Sequence, residues 1–178
     1  MGHDVARKWM PLVAIVGVGT ALDQVAKNWA VANLQGRGIV TLIGGLLELR
    51  YVRNPGAFFG LGGNLPADAR RCVLSGVAAC VAALLMRFYV RAAASPRARR
   101  LRVGLALLLA GAVGNLIDRI RHGEVVDFLH LRLGDVFHWA TFNVADICIA
   151  LGLGLLAFEW PRTSTRAAHV PATAREHG

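Results

Sequence analysis

NLIDRIRHGEVVDFLHLRLGDVFHWATFNVAD, residues 115–146, is the stretch whose reading decides the fold of this chain. It sets Asp127 and Asp146 nineteen residues apart, each flanked by apolar residues, with Asn115, Asp118, Arg119 and Asn143 beside them. The sequence on either side is apolar enough to span a membrane, where an ionisable group is costly and marks function by default. Two carboxylates brought together at a membrane face are the minimal apparatus of an aspartic peptide hydrolase.

Working outward, the chain has 178 residues, of which 55% are hydrophobic and only 17% charged. Its mean hydropathy of +0.48 is too high for an ordinary soluble domain. Four apolar stretches account for it: Trp9 to Leu34, Cys72 to Val90, Val103 to Ile117, and Phe142 to Trp160. A spanning helix needs about 20 residues, and the third stretch reaches that length only by taking in Asp118 and Arg119. The first takes in Asp23 and Lys27. The expected fold is a mainly α membrane protein with four transmembrane helices and a small extracytoplasmic β-strand region. Residues 1–162 are expected to form a single integral membrane domain, with 163–178 a disordered cytoplasmic tail. Arg7 and Lys8 before an apolar core, and Gly19-Thr20-Ala21 after it, loosely resemble a cleavable signal peptide. Three further apolar stretches favour a retained first helix.

Positive charge orients the spans. Arg97, Arg99, Arg100 and Arg102 lie between the second and third stretches; Arg7 and Lys8 precede the first, and Arg162 and Arg166 follow the fourth. With four spans all three groups fall on one side, which places both termini in the cytoplasm. Arg50, Arg53 and Arg132 on the other side make the bias moderate. The net charge of +9 is largely juxtamembrane, explained by topology and anionic lipid headgroups rather than by nucleic acid, which is not expected as a partner. Cys72, Cys80 and Cys148 lie in apolar stretches and behave as small hydrophobes, not as a disulfide framework or metal site.

In that topology Asp23 and Lys27, then Asn115, Asp118 and Arg119, then Asn143 and Asp146 all come to the outer membrane level. Each set has i, i+3 or i, i+4 spacing, one face of one helix. The connections Leu47-Glu48-Leu49-Arg50-Tyr51 and Leu129-His130-Leu131-Arg132-Leu133 alternate apolar and polar residues, as half-buried strands do. Asn54-Pro55-Gly56-Ala57-Phe58-Phe59-Gly60 is a turn-forming segment with interfacial aromatics, and His138 and Trp139 suit an interfacial anchor. From spacing alone, Asp127 and Asp146 are as compatible with capping a strand end and a helix as with catalysis. An ion or proton transporter would also bury Asp23, Asp118 and Asp146, although neither midplane charges nor an inverted repeat is visible. A non-enzymatic assembly factor would not require two aspartates in these contexts.

At these residues the sequence resembles the lipoprotein signal peptidases, or signal peptidase II, of bacterial inner membranes. Asp23-Gln24-x-x-Lys27, Asn54-Pro55-Gly56-Ala57-Phe58, Gly111 to Arg119, Gly123 to Phe128 and Phe142 to Asp146 follow the family's motifs in order. Ala110, Pro55, Phe59 and Ile147-Cys148 depart from the usual pattern, none at a proposed catalytic atom. The resemblance implies an aspartic endopeptidase with Asp127 and Asp146 as its dyad, cleaving just before a diacylglyceryl-modified cysteine of a prolipoprotein. Asn54, Gly56, Asn115, Arg119 and Asn143 are the candidate substrate binders, since amides and a guanidinium can satisfy an extended peptide backbone in a membrane; the alternative is that Asn115 and Asn143 bond between helices and Arg119 pairs with Asp118. Asp23 and Lys27 read as an i, i+4 pair ordering the first helix, and Asp118 as the structural partner of an arginine. No metal or nucleotide is needed, the partners are the substrate and membrane lipids, and the enzyme is expected to act as a monomer.

Overall fold

A computed structural model describes residues 2–56, 66–92, 96–134 and 136–164. Four helices carry the chain: α1 (Gly2–Leu34), α2 (Ala67–Arg91), α3 (Pro96–His122) and α4 (Val144–Ser164). Between them lie the strands β1 (Val40–Thr41), β2 (Leu47–Asn54), β3 (Val125–Leu133) and β4 (Phe137–His138). The segment Ala57–Gly60 and the tail beyond Ser164 fall outside the described residues.

The third helix is longer than its apolar core, because it begins before the arginine cluster and ends after Arg121. Arg99, Arg100 and Arg102, expected in a connection, are helical residues. Arginine is a good helix former whose long stem lets the charge reach water from a helix end.

The helices are assembled inside out relative to a soluble bundle. On α2, Val73, Val77, Val81, Leu84 and Phe88 recur on one face, and all are exposed. On α1, Met10, Val13, Val18, Leu22 and Val25 are exposed as well. Such continuous apolar surface matches lipid rather than water. Trp9–Leu34, Ala67–Arg91 and Ala98–His122 are long and apolar enough to cross a membrane; Val144–Phe158 is a shorter apolar helix.

At the centre, α3 packs against the other three helices. Leu12, Tyr89, Leu105, Ala106 and Leu109 form the buried cluster between α1, α2 and α3, with the Trp9 ring 6.1 Å from that of Tyr89. Against α4 the contact is made by small residues. A Cβ on Gly152 would lie 2.8 Å from the Gly104 carbonyl oxygen, and one on Gly111 would overlap the Ala145 carbonyl oxygen. Glycine lets two backbones approach where no hydrophobic force drives helices together in lipid.

The strands form an antiparallel sheet in the order β1-β2-β3-β4. A bulge in β2 shifts the register: Leu49 pairs with Leu129, yet Val52 pairs with Asp127. Such insertions bend a strand and re-aim its side chains. The α3–β3 link is minimal, since Gly123 at φ 74° donates to the Arg119 carbonyl and closes the helix. Ala30, Leu34, Phe128 and flanking Leu49, Tyr51 and Leu129 seat the sheet on the end of α1.

Candidate active site

Asp127 belongs to β3 and Asp146 to the first turn of α4. Phe142 stitches the two together: its carbonyl accepts the Phe128 and Leu129 amides, and its amide donates to the Leu129 carbonyl. The chain therefore enters α4 along the edge of β3, and Asn143 arrives beside Asp127.

Asn143 then contacts both aspartates. Its Nδ2 donates to Asp127 Oδ1 at 2.6 Å, and its backbone amide donates to Asp146 Oδ2 at 3.1 Å. Its Oδ1 accepts the Asp146 amide at 3.0 Å. This last pair forms a reciprocal helix cap of the Asn-x-x-Asp kind. The remaining carboxylate oxygens have donors of their own: Asn54 Nδ2 reaches Asp127 Oδ2 at 3.0 Å, and Asn115 Nδ2 reaches Asp146 Oδ1 at 3.0 Å. Each of the four oxygens thus receives one N–H and retains a lone pair for a further partner. Capping and availability for chemistry, alternatives from spacing alone, are compatible in Asp146.

Asp127 is 3% exposed. Burial pushes its carboxyl up from the usual range to about 6, and the neighbouring Asp146 charge adds to the rise. Donation from Asn54 and Asn143 pulls the other way. A carboxyl raised by burial and by a second carboxyl beside it is chemically able to share one proton with that neighbour.

Arg119 closes the front of the site. It donates to the Gly56 carbonyl and to the Asn115 carbonyl, both at 3.3 Å, while the Gly56 amide donates to Asn54 Oδ1 at 3.1 Å. Asn54, the last residue of β2 rather than the first of a turn, is thereby held against Asp127.

Behind the aspartates lies a buried ion cluster. Lys27 pairs with Asp23 and with Asp118, each at 2.8 Å, and donates to Asn115 Oδ1 at 2.9 Å. The i, i+4 pair expected in the first helix is present, but among the described residues Asp118 pairs with this lysine and not with an arginine. The reason is geometric: Asp118 faces into the bundle toward α1, whereas Arg119, one residue on, turns toward Gly56. Gln24 Nε2 adds a 2.9 Å bond to Asp118 Oδ1. The candidate catalytic, substrate-binding and supporting residues Asp23, Lys27, Asn54, Gly56, Asn115, Asp118, Arg119, Asp127, Asn143 and Asp146 thus belong to one connected network of hydrogen bonds and ion pairs.

A second polar group lies farther along the sheet. Glu48 is 3% exposed and pairs with Arg50 at 2.7 Å and Arg132 at 3.4 Å. Opposite it in the register, His130 is buried with both ring nitrogens unpartnered among the described residues, and its ring stacks 5.8 Å from that of His138. His138, read as an interfacial anchor, has this ring contact in addition. Alternation marked Glu48 and His130 as one face of each strand, but nothing in the sequence showed that the two faces meet.

Comparison with known proteins gives one answer. The family described as Signal peptidase (SPase) II matches residues 15–161. A lipoprotein signal peptidase of Moorella thermoacetica is 39% identical over 150 residues, 84% of this chain and 92% of the relative. One from Symbiobacterium thermophilum is 43% identical over 148 residues, 82% of this chain and 89% of that one. A solved bacterial membrane enzyme superposes with a TM-score of 0.72 at 24% identity, covering 94% of this chain and 93% of its own, which establishes the shared fold.

Proposed function

This chain belongs to the signal peptidase II family, and on that premise we propose that Asp127 and Asp146 are the pair with which it acts. It is an aspartic endopeptidase that removes signal peptides from prolipoproteins. The observation carrying the assignment of residues is the bridging position of Asn143, which donates to both carboxylates and holds them as one unit.

The steps follow from the hydrogen bonds. With one proton between them, the ionised aspartate takes a proton from a water molecule as its oxygen attacks the scissile carbonyl carbon. The protonated aspartate donates to the developing oxyanion. Collapse of the tetrahedral intermediate passes the proton taken from water to the leaving amine, while the hydroxyl formed on the oxyanion gives its proton back to the other aspartate, which restores the pair. Asn54, Gly56, Asn115, Arg119 and Asn143 line this centre, and the Asn54 and Arg119 side chains can bond the extended peptide backbone, whose polar groups find no partner in lipid.

The substrate cleaves just before a cysteine carrying a diacylglyceryl group. A lipid anchor and an apolar signal helix both partition into the bilayer, which suits a site among helices whose outer faces are apolar. The enzyme crosses the bacterial inner membrane four times as a monomer, residues 1–162 forming one domain and 163–178 a cytoplasmic tail. In support, Arg99, Arg100 and Arg102 lie at the start of α3 and Asn115, Asp118 and Arg119 near its end. At about 1.5 Å per residue, the 27 residues of that helix extend about 40 Å, enough to separate a cytoplasmic arginine cluster from a site near the outer face.

The test is release of signal peptide from a diacylglyceryl-modified substrate by the purified chain. Asp127→Asn and Asp146→Asn should each stop release while the protein still inserts and folds. Normal turnover by either variant sinks the assignment.

A further inference from the structure

We infer that Lys27 is a positioning residue for the aspartate pair: it fixes which end of the Asn115 side chain faces Asp146. This deepens the dyad assignment above and rests on it.

A lysine ammonium has three donors and no acceptor. All three are used here, on Asp23 Oδ2, Asp118 Oδ2 and Asn115 Oδ1. The two ends of an amide differ only in their hydrogen bonding. Because Lys27 can only donate, the end of Asn115 that faces it must be the oxygen. Asn143 Nδ2 donates to the same oxygen at 3.1 Å, and Asn143 is itself held in orientation by the Asp146 amide on its Oδ1. The nitrogen of Asn115 is left pointing at Asp146 Oδ1, 3.0 Å away. A flipped Asn115 would oppose its NH₂ to the ammonium and its oxygen to Asp146, a contact that holds only when Asp146 carries the proton. Lys27 therefore biases the pair toward an Asp146 that accepts.

The partners of Lys27 extend the same control to the backbone. Asp23 Oδ1 accepts the amide of Ala145 at 2.8 Å, and Asp118 Oδ2 accepts the amide of Val126 at 3.2 Å. Ala145 immediately precedes Asp146, and Val126 immediately precedes Asp127. One ammonium, less than 3% exposed as a residue, thus ties together the two carboxylates that hold the backbone before each aspartate. The charged groups around it are Asp23 on its own helix, Asp118 on α3, Asp127 on β3 and Asp146 on α4.

The experiment is a double-mutant cycle on the full-length enzyme with a diacylglyceryl-modified peptide: Lys27→Met, Asn115→Ala, and both together. Lys27→Met should lower kcat about 10- to 100-fold, the worth of one hydrogen bond to a charged group, with KM within about twofold. In the Asn115→Ala background the same change should cost nothing further, since the amide it orients is gone. If the two losses multiply, Lys27 merely neutralises Asp23 and Asp118, and the inference is overturned. Because Lys27→Met leaves two buried carboxylates without a counter-charge, the cycle is repeated with Asp23→Asn and Asp118→Asn added, so that the Lys27→Met arm of the cluster carries no unpaired charge. The same loss should appear there, and wild-type kcat would overturn the inference. Asp146→Asn is assayed in parallel: if it cleaves normally, the dyad assignment itself falls, whereas an inactive Asp146→Asn with multiplying losses removes only the role of Lys27.

Discussion

Asn143 and Asp146 exchange hydrogen bonds, the Asp146 amide to Asn143 Oδ1 at 3.0 Å and the Asn143 amide to Asp146 Oδ2 at 3.1 Å. The residue that starts α4 and the residue proposed to act on substrate are therefore held by one cap. Helix stability and site geometry are coupled at this point, and variants must be read with both in view.

Asparagine keeps the shape of the aspartate side chain and an acceptor oxygen for the cap. Asp127→Asn and Asp146→Asn are accordingly expected to fold, with thermal midpoints below that of the parent, because the new NH₂ replaces an oxygen that accepts an N–H. Each should lower kcat by about 10⁴-fold or more, and the double variant should be no slower than the worse single one, as for residues acting as a unit. Single-turnover peptide release alongside melting curves checks this.

Asn54 donates to Asp127 and draws its carboxyl downward, against burial, which raises it to about 6. If the active form carries one shared proton, activity falls as pH rises through the loss of that proton. Removing the Asn54 donor takes away a lowering influence, so Asp127 should hold its proton to higher pH. Asn54→Ala is expected to slow cleavage of lipidated substrate about 10-fold, the worth of a hydrogen bond to a charged group, and to move the alkaline limb of kcat/KM upward. An alkaline limb that stays in place or moves downward would separate Asn54 from the proton-sharing group.

The same shift carries a stability consequence of definite sign. A carboxyl raised to about 6 binds its proton more tightly in the folded protein than in the unfolded one. Between about pH 4 and pH 6 the folded state holds the extra proton, so Asp127 favours folding at the acidic end and that contribution is lost as pH rises through 6. Thermal midpoints of the parent, minus those of Asp127→Asn, should therefore decline across this window. A difference that grows with pH would contradict the raised value.

Gly111 lies against the Ala145 carbonyl and the Ile149 side chain, so any Cβ there pushes α4 away from α3. Gly111→Ala should destabilise the protein by about 1–3 kcal/mol, as overpacking does. It should also lower kcat more than it raises KM, because Asp146 moves with the helix that is displaced. A melting curve and a steady-state assay on one preparation give both numbers.

A reporter that works only outside the cytoplasm, fused after Gly178, should be silent. Strong signal there would overturn the four-span topology while leaving the geometry of the site untouched.

Much of this was legible from spacing. Apolar runs located the helices, alternation located Leu47–Tyr51 and Leu129–Leu133 within β2 and β3, and polar residues at helix ends marked one level of the bundle. What escaped was set by contacts between distant segments. The bulge between Leu49 and Val52 leaves no pattern of its own, yet it shifts the register that sets Val52 against Asp127. The preference of Asp118 for Lys27 over its neighbouring arginine depends on which way two helices turn toward each other, and periodicity along one helix is silent on that. The Asn-x-x-Asp cap was readable in principle, but the bond from Asn143 to Asp127 required knowing that Phe142 lies along β3.

The Asp23–Lys27 pair bears on how the chain enters a membrane. The two residues are one turn apart on α1 and bond each other at 2.8 Å, so this helix brings its own counter-ion and needs no other segment to neutralise its buried end. Asp118 can meet Lys27 only once α3 is beside α1, and Asp23 can hold the Ala145 amide only once α4 follows. The order of synthesis thus sets the earliest point at which each bond of the cluster can form, and the two aspartates can come into register only once the last helix is in place.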